Sequence, residues 1–546
     1  MLRLSAALII SGALGTVGAG ALAQSDATAG RDTSLREAAS PKQNRAQTSS
    51  AYGSKPAIDL ATPVQTFHEA VKRAYWTNPT LLAQRAQLRA LDYRLPQARA
   101  GYGPKLDISG SYGYERDNFE LSAGGYIAAA DWTATATAVI TQPLFTFGRI
   151  AADERGANAN IAFGRNALRA TEMKVLLNAI VAYASFIRDN DGVSIARDNL
   201  ALLDREAADT ATRLRAGEAT STDHQQVETR VSLGRAQLYA AQEQFESSRS
   251  EFLRAIGSLP GDLAAPEPLS LPVTSLEEAY AFAQRNDPIL AAAYAREKVS
   301  RAALQAARAE QMPRVDLRGR AESGTIEPYS SSLRQTSLRG EVIVSAPIFD
   351  SGLRRARISE AREANDSDWR LIDAALRDSR VETAAAWNSM IAQRAAVVQL
   401  VASVDSAQRA YDGALQQERA GLRTTLDVLD LARELLTART ALNNAKTESY
   451  LAEARLLAAM GALDGHYLLP DETLYDPETH FARARDDGDI PLLTPMIRTL
   501  DGVGSRSALM DRPVRDPAGP ITTPGLVVDQ APVAARQPSS DTTSRD

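Results

Sequence analysis

Several residue types that define other classes of protein are missing or rare in this sequence. The 546 residues include no cysteine, which excludes disulfides, thiolate zinc sites, a cysteine nucleophile and a lipid-modified N-terminal cysteine. The four histidines are far apart and in no ligand spacing, so we expect no metal site, no cofactor and no histidine-based catalysis. The net charge of −6, without a basic stripe of interleaved aromatics, argues against a nucleic-acid partner.

Long hydrophobic runs are missing beyond the N-terminus. Residues 1–23 are typical of a secretory signal peptide, with a charged start at Arg3, an apolar stretch and a cleavage site at Ala21–Ala23. The alternative is an uncleaved N-terminal membrane anchor. No later run reaches 18 apolar residues, so no transmembrane helix is predicted. Residues 24–60 are rich in small, polar and charged residues and are predicted to be a disordered leader.

An internal repeat is the most informative feature that is present. The segment Arg215–Asp223 returns 204 positions later as Arg419–Asp427, with the Ala-Gly pair, a threonine and the final aspartate in register. Each copy interrupts a long alanine-rich run that contains no proline. Each therefore predicts a tight turn between two helices, in which glycine ends one helix and Thr and Asp begin the next.

The chain is accordingly interpreted as two repeats, residues 61–259 and 274–463. A proline-rich linker, 260–273, joins them. Residues 464–546 form a C-terminal tail that we predict to be largely disordered, because it is rich in proline, charge and threonine.

Each repeat contains a predicted β-hairpin, at 105–142 and 314–346, in which apolar and polar residues alternate. The alternating runs are about 11 residues long, the length of a tilted strand that spans a bilayer. A proline-free helix of about 67 residues, roughly 100 Å long, follows each hairpin. We expect shorter helices of about 22 and 37 residues to stack end to end beside it.

This order of elements puts all strands at one end of the helices and both glycine turns at the other. Four strands cannot close a barrel, and lipid does not tolerate open sheet edges. Twelve strands from three chains give a barrel, and eight from two chains give a narrower one. The predicted fold class is an α+β membrane protein, a trimeric twelve-stranded outer-membrane barrel continued by a periplasmic α-helical barrel. The alternative is a soluble coiled-coil rod whose alternating runs are loops.

The sequence resembles the TolC-like outer-membrane efflux family of Gram-negative bacteria over about residues 66–463. The resemblance rests on Pro-x-Phe-x-x-Gly strand exits beginning at Pro143 and Pro347, on the two glycine turns, and on the segment Thr425–Asp430. It implies a homotrimer in outer-membrane lipid that acts as a passive duct. It also implies a periplasmic adaptor and an inner-membrane ABC transporter or proton-driven pump as partners.

The resemblance also implies site residues by position. Asp427 and Asp430 lie where the family places inward-facing aspartates that constrict the periplasmic entrance. Asp223 and Arg423 lie where the family ties neighbouring helices shut. Glu418 stands where TolC has a tyrosine, and pairing of Glu418 with Arg423 is the expected replacement. The turn residues expected to contact the adaptor are Gly217, Thr220, Gly421 and Thr424.

The predicted function is an outer-membrane export duct. The extended tail, which includes Tyr475–Pro477, is similar to tails of family members that serve protein secretion, so type I secretion is predicted. The alternatives are a multidrug efflux factor and a non-channel periplasmic scaffold. No nucleophile–base pair, phosphate loop or metal constellation occurs in the sequence, so an enzyme is not expected.

Overall fold

The structure is a computed structural model that describes residues 62–120, 124–326, 330–487 and 489–505. The predicted signal peptide and leader lie outside the described residues, as does the end of the predicted tail, 506–546.

Helices dominate the described part of the chain, and two pairs of strands interrupt them. The strands are β1 (Lys105–Glu120), β2 (Tyr126–Phe145), β3 (Arg314–Ile326) and β4 (Ser330–Ser345). The helices are α1 (Phe67–Thr77), α2 (Pro79–Asp92), α3 (Arg94–Arg99), α4 (Arg149–Ala216), α5 (Ser221–Ile256), α6 (Leu276–Asn286), α7 (Pro288–Ala309), α8 (Leu353–Arg419), α9 (Thr425–Ala459), α10 (Gly465–Leu468), α11 (Pro477–Ala484) and α12 (Leu493–Ser505).

Each repeat is organised around one long helix, α4 with 68 residues and α8 with 67. At 1.5 Å per residue each is about 100 Å long. As predicted, α4 is flanked by two shorter helices, α2 and α5, while α8 packs against α9. Helix α7 packs against α8, as predicted, and also against α4, which the sequence did not indicate. The two repeats therefore share one helical framework.

The shorter helix of about 22 residues predicted in the first repeat, over about 79–100, is divided in the structure. Helix α2 ends at Asp92, and α3 begins at Arg94 after a break at Tyr93. Pro96 has no N–H to donate to the carbonyl of Asp92, so the helical hydrogen bonding fails one turn before the proline. The proline therefore divides the predicted helix into α2 and α3. The equivalent helix α7 has proline only at its first position and runs unbroken for 22 residues.

The four strands form one antiparallel sheet in the order β1-β2-β3-β4. They are 16, 20, 13 and 16 residues long, so the predicted length of about 11 was too short. The segment 117–130, in the middle of the first predicted hairpin, mostly continues the ladder, with Asp117 paired to Ala129. Main-chain pairing does not depend on side-chain polarity, so the ladder extends past the end of the apolar alternation.

The two faces of the sheet differ in polarity. Apolar residues lie in direct cross-strand register, as in the pairs Leu106–Ile140 and Leu317–Val342. The large apolar residues of this face are exposed, namely Leu106, Ile108, Tyr112, Tyr114, Trp132, Ile140, Leu317, Leu338, Val342 and Val344. The alternate positions, which face the other way, carry mostly polar or charged residues such as Lys105, Asp107, Arg318, Arg320 and Glu341.

The described part of the C-terminal tail contains the three helices α10, α11 and α12, so the expectation that 464–546 is largely disordered was wrong for residues up to 505. Helix α12 packs against α4 and β2. Its Asp501 is buried and accepts hydrogen bonds from the backbone N–H groups of Thr146 (2.7 Å) and Gly148 (3.2 Å). In the second repeat a local residue, Asp350, caps the N–H of Gly352 at 3.1 Å. The carboxylate that caps the start of α4 therefore comes from the tail, whereas the one that caps the start of α8 comes from the residues just before that helix.

The main hydrophobic core lies around the middle of α4. Leu176, Ile180 and Tyr183 are fully buried there against α1, α5 and α9. Helix α4 is also the one described helix that is long and apolar enough, by length and composition, to cross a membrane, and half of that apolar window is buried within the chain. The apolar residues of α4 pack inside the helical framework. We therefore interpret α4 as a core helix, and its high hydropathy follows from that packing.

Candidate functional site at the helical tip

The two glycine turns close the long helices at the ends remote from the sheet. Gly217 and Gly421 have positive φ angles of 79° and 74°. The N–H of Glu218 donates to the carbonyl of Arg213 at 2.8 Å, and the N–H of Leu422 donates to that of Gln417 at 2.9 Å. This closure needs a left-handed residue, a conformation that glycine adopts without a Cβ clash. The predicted turns are confirmed, and we refer to residues 206–231 and 411–433 together as the tip.

Asp223 and Asp427 begin the return helices α5 and α9 as members of capping boxes. In α9 the hydroxyl of Thr424 donates to Asp427 Oδ2 at 2.8 Å, and the N–H of Asp427 donates to Thr424 Oγ1 at 3.2 Å. The corresponding distances between Thr220 and Asp223 are 2.8 and 3.2 Å. Both aspartates therefore stabilise the start of a helix.

The carboxyl groups of both capping aspartates are held in the ionised form. The hydrogen bond from the Thr424 side chain is the main cause that lowers the pKa of Asp427, and exposed Arg423 adds a smaller electrostatic contribution. Thr220 lowers the pKa of Asp223 in the same way. Asp427 is exposed to solvent and Asp223 is half-buried, so the capping role leaves Asp427 with an accessible negative charge.

Glu418 is buried, with 1% of its surface exposed, and it joins the two helical hairpins. Its Oε1 accepts from the guanidinium of Arg213 on α4 and from the hydroxyl of Thr425 at 3.0 Å. The expected pairing of Glu418 with Arg423 was therefore wrong. Glu418 lies in the last turn of α8 and faces the first hairpin, whereas Arg423 lies beyond the turn and is exposed.

Asp430 makes a second link between the hairpins. Its Oδ1 lies 3.2 Å from the guanidinium of Arg230 on α5 and 3.5 Å from that of Arg433 on its own helix. A small apolar cluster formed by Leu203, Val227, Val231 and Leu429 lies beside this link. The two hairpins thus contact each other through both apolar packing and ion pairs.

Three carboxylates converge beside the Glu418 link. Glu206, Asp209 and Glu418 each offer an oxygen within 4.8 Å of the others. Glu206 is 6% exposed, and its burial, together with the charges of Glu418 and Asp209, raises the pKa of its carboxyl to about 7. Arg213 opposes this shift.

The structure therefore gives the acidic residues predicted at the tip a set of contacts within one chain. It brings Asp223 to Thr220, Asp427 to Thr424 and Glu418 to Arg213, and it leaves the constriction, lock and adaptor roles as predictions. Sequence reasoning missed the residues that link the hairpins, chiefly Glu206, Arg213 and Arg230. The helical spacing of Glu206 and Arg213 placed them on one face of α4, but no signal in the sequence identified which helix packs against that face.

The chain contains two β-hairpins in one sheet, and each is followed by a long helical hairpin that ends in a glycine turn. This arrangement defines a class of channel subunit. The chain belongs to the outer membrane efflux protein family, whose sequence profile matches residues 70–258 and 280–462. The two matched ranges correspond to the two repeats. Family members and structural neighbours are channel proteins rather than enzymes, and membership favours a duct over a periplasmic scaffold.

Individual relatives extend over most of the chain. Outer membrane efflux protein BepC of Brucella suis biovar 1 is 29% identical over 428 residues, covering 77% of this chain and 91% of BepC. Alkaline protease secretion protein AprF of Pseudomonas aeruginosa is 25% identical over 386 residues, covering 68% of this chain and 79% of AprF. The solved structure of the outer-membrane channel OprN superposes with a TM-score of 0.64 at 22% identity, covering 76% of this chain and 95% of OprN, which shows a shared fold.

Proposed function

We propose that three copies of this chain form an export duct whose twelve strands cross the outer membrane and whose helices form a periplasmic tube. The observation that carries this proposal is the four-stranded sheet, which has an exposed apolar face and open edges at β1 and β4. An exposed apolar face suits contact with lipid, and in lipid each open edge needs a partner strand. Three copies satisfy all edges in a closed barrel of twelve strands.

The dimensions of the apolar face support a membrane position. Leu106 to Tyr114 spans about 27 Å along β1, close to the roughly 25 Å apolar band of outer-membrane barrels. Trp132 stacks on Tyr112 with ring centroids 5.1 Å apart and contacts Tyr114 edge-on at 5.7 Å. Aromatic residues grouped at one end of an apolar band match the girdles that such barrels carry at the lipid–water boundary.

A pair of neighbouring substitutions tests the membrane position of the sheet. Leu338→Arg puts a charge on the apolar face, where we expect a cost of about 2–4 kcal/mol in lipid, and Ser337→Arg puts the same charge on the polar face. We expect Leu338→Arg to abolish assembled trimers in the outer-membrane fraction and Ser337→Arg to retain them. Equal assembly of both variants would contradict the barrel.

The tip is proposed to be the periplasmic entrance of this duct. In a trimer, Asp427 and Asp430 give two rings of three carboxylates, a constriction that favours cations. The lowered pKa and the exposure of Asp427 support a permanent charge there. The tip lock is proposed to combine Asp223, Arg423 and Glu418, the last through its ion pair with Arg213.

Divalent-cation block of the conducting pore tests the constriction. Asp427→Ala with Asp430→Ala is expected to weaken the block, and Asp427→Asn with Asp430→Asn removes the same charges with less damage to the cap. Asp405→Asn is the matched control, because it removes an exposed carboxylate from α8 outside the tip. Unchanged block in the Asp427 and Asp430 variants, or an equal loss in the control, would refute the assignment.

The exposed tip turns are proposed to dock onto a periplasmic adaptor, which connects the duct to an inner-membrane ABC transporter or proton-driven pump. Gly217, Thr220, Gly421 and Thr424 define these turns, and Leu422 between them is a large apolar residue left exposed. Because the chain has no cysteine, a single Leu422→Cys gives specific cross-linking in cells. We expect adducts with the adaptor at Leu422 and none at the control Tyr239→Cys, an exposed position on α5.

Type I protein secretion is the proposed route, supported by the similarity to AprF, whose name describes alkaline protease secretion. Multidrug efflux is the second candidate, supported by the similarity to BepC, named an efflux protein. Deletion of the gene separates the two. Loss of a secreted protein with unchanged drug susceptibility supports secretion, and increased susceptibility with an unchanged secretome supports efflux.

A further inference from the structure

Two buried carboxylates at the tip each keep one oxygen without a hydrogen-bond partner. Among the residues that the structure describes, nothing donates to Oε1 of Glu206 or to Oε2 of Glu418. The other oxygen of Glu418 is occupied by Arg213 and Thr425. Because a buried, unpaired carboxylate oxygen loses its hydration without compensation, these two atoms indicate a missing electropositive partner.

A third carboxylate and a hydroxyl complete the set of oxygen atoms. Asp209 follows Glu206 by three residues on α4 and contributes an oxygen within 4.8 Å of the other two carboxylates. Thr210 is fully buried, and within the described chain its Oγ1 has no partner. Side chains on a helix lean toward its N-terminus, so Thr210 leans over the turn that carries Glu206. The buried hydroxyl is therefore a further oxygen without a partner, one helical turn from Glu206.

We propose that Glu206, Asp209 and Glu418 bind one hard divalent cation, Ca²⁺ or Mg²⁺, which cross-links the first helical hairpin to the second. Carboxylate and hydroxyl oxygens are the ligands that these cations prefer. Asp209 is exposed, so the site has a path for entry and room for water ligands. The sequence predicted no metal site because Cys and His show no ligand spacing, whereas these carboxylate ligands come from two helices, α4 and α8.

The charge around the cluster sets the expected affinity. Arg213 and Arg419 lie close enough to influence Glu206 electrostatically and partly neutralise the three carboxylates. Few protein ligands and nearby positive charge both weaken binding. We therefore expect a Kd of about 10⁻⁴–10⁻³ M, as in weak extracellular calcium sites.

The experiment uses the full-length protein in detergent with Asp427→Ala and Asp430→Ala, so that the proposed constriction does not contribute. After chelation, titration calorimetry with Ca²⁺ and with Mg²⁺ is expected to show one cation bound per chain. We expect Glu206→Gln and Asp209→Asn each to weaken binding at least about tenfold, because each removes one of the few carboxylate ligands. Asp198→Asn, an exposed change on the same helix, is the matched control and is expected to leave the Kd unchanged.

A spectroscopic probe tests the site with all three carboxylates in place, so the result does not depend on whether a variant of the buried Glu206 folds. Tyr411 on α8 is close enough to Glu206 for that charge to contribute to raising the pKa of the phenol. Tb³⁺, a Ca²⁺ substitute, is expected to show emission sensitised by Tyr411 that Ca²⁺ displaces and that Tyr411→Phe reduces.

Absence of binding up to about 10 mM Ca²⁺ or Mg²⁺, well above the expected Kd, would overturn the proposal. Binding that survives both Glu206→Gln and Asp209→Asn would overturn it equally. If a proton shared by Glu206 and Glu418 fills the gap instead, neither cation binds and the tyrosine-sensitised emission is absent. The site lies within one chain, so a failure here leaves trimer formation and conductance, which are measured separately, unaffected.

Discussion

The ion pair between Arg213 and Glu418 gives the sharpest test of how the tip is held together. Replacing Arg213 with alanine leaves Glu418 buried with one hydroxyl donor, Thr425. Removing one partner of a buried ion pair costs about 3–5 kcal/mol. The Arg213 side chain is 28% exposed and partly screened by water, so we expect a smaller cost, about 2 kcal/mol.

A loss of about 2 kcal/mol increases local opening about 30-fold, since 1.4 kcal/mol corresponds to a factor of ten. Amide hydrogen exchange followed by mass spectrometry measures this opening at the ends of α4 and α8. We expect faster exchange there in Arg213→Ala and little change in the buried core around Tyr183.

Two comparison variants make this prediction specific. Arg249→Ala removes an exposed i, i+3 pair with Glu246 on α5, which is worth less than about 1 kcal/mol, so exchange at the tip is expected to stay near the wild-type rate. Glu418→Gln keeps an acceptor for Thr425 and lowers the negative charge beside Glu206, so its effect is expected to be smaller than that of Arg213→Ala. Unchanged exchange in Arg213→Ala, or an equal increase in Arg249→Ala, would refute the ion pair as the link between the hairpins.

Three further predictions concern other parts of the chain. Gly421→Ala has free space for the added Cβ but keeps a positive φ, so we expect a loss of about 1 kcal/mol and faster proteolysis at the turn. Burial raises the pKa of Glu172 in the folded protein, so its contribution to stability falls as the pH rises from the ordinary carboxyl pKa to the raised one. Glu172→Gln, which still accepts the N–H of Gly465, is expected to flatten the measured pH dependence of unfolding in that window. Asp501→Ala removes the cap supplied by the tail and is expected to cost about 1–3 kcal/mol, measured as a lower midpoint of denaturant unfolding.

Local features of the fold were readable from the sequence. The glycine turns and the Thr-x-x-Asp capping boxes are each specified by residues within one turn of each other, so Gly217 and Thr220 predicted their own conformations. The period-2 alternation located both β-hairpins for the same reason. It did not give the ends of the strands, because backbone pairing continues where side-chain alternation has stopped.

Long-range partners could not be derived from one sequence. Glu418 meets Arg213 because two hairpins, 205 positions apart in sequence, are packed side by side, and no local pattern encodes that choice. Asp501 reaches Thr146 across 355 positions for an equivalent reason. The ordered part of the tail depends on the packing of Ile497 and Leu493 against the junction between β2 and α4, and no local pattern in the tail encodes that junction.

Conductance across a planar lipid bilayer tests the central claim most directly. If three copies form a duct, the full-length protein purified in detergent is expected to produce discrete conductance steps that divalent cations block. Ser337→Arg is expected to retain these steps and Leu338→Arg to produce none. Protein that runs as a monomer in detergent and gives no conductance steps would contradict the account.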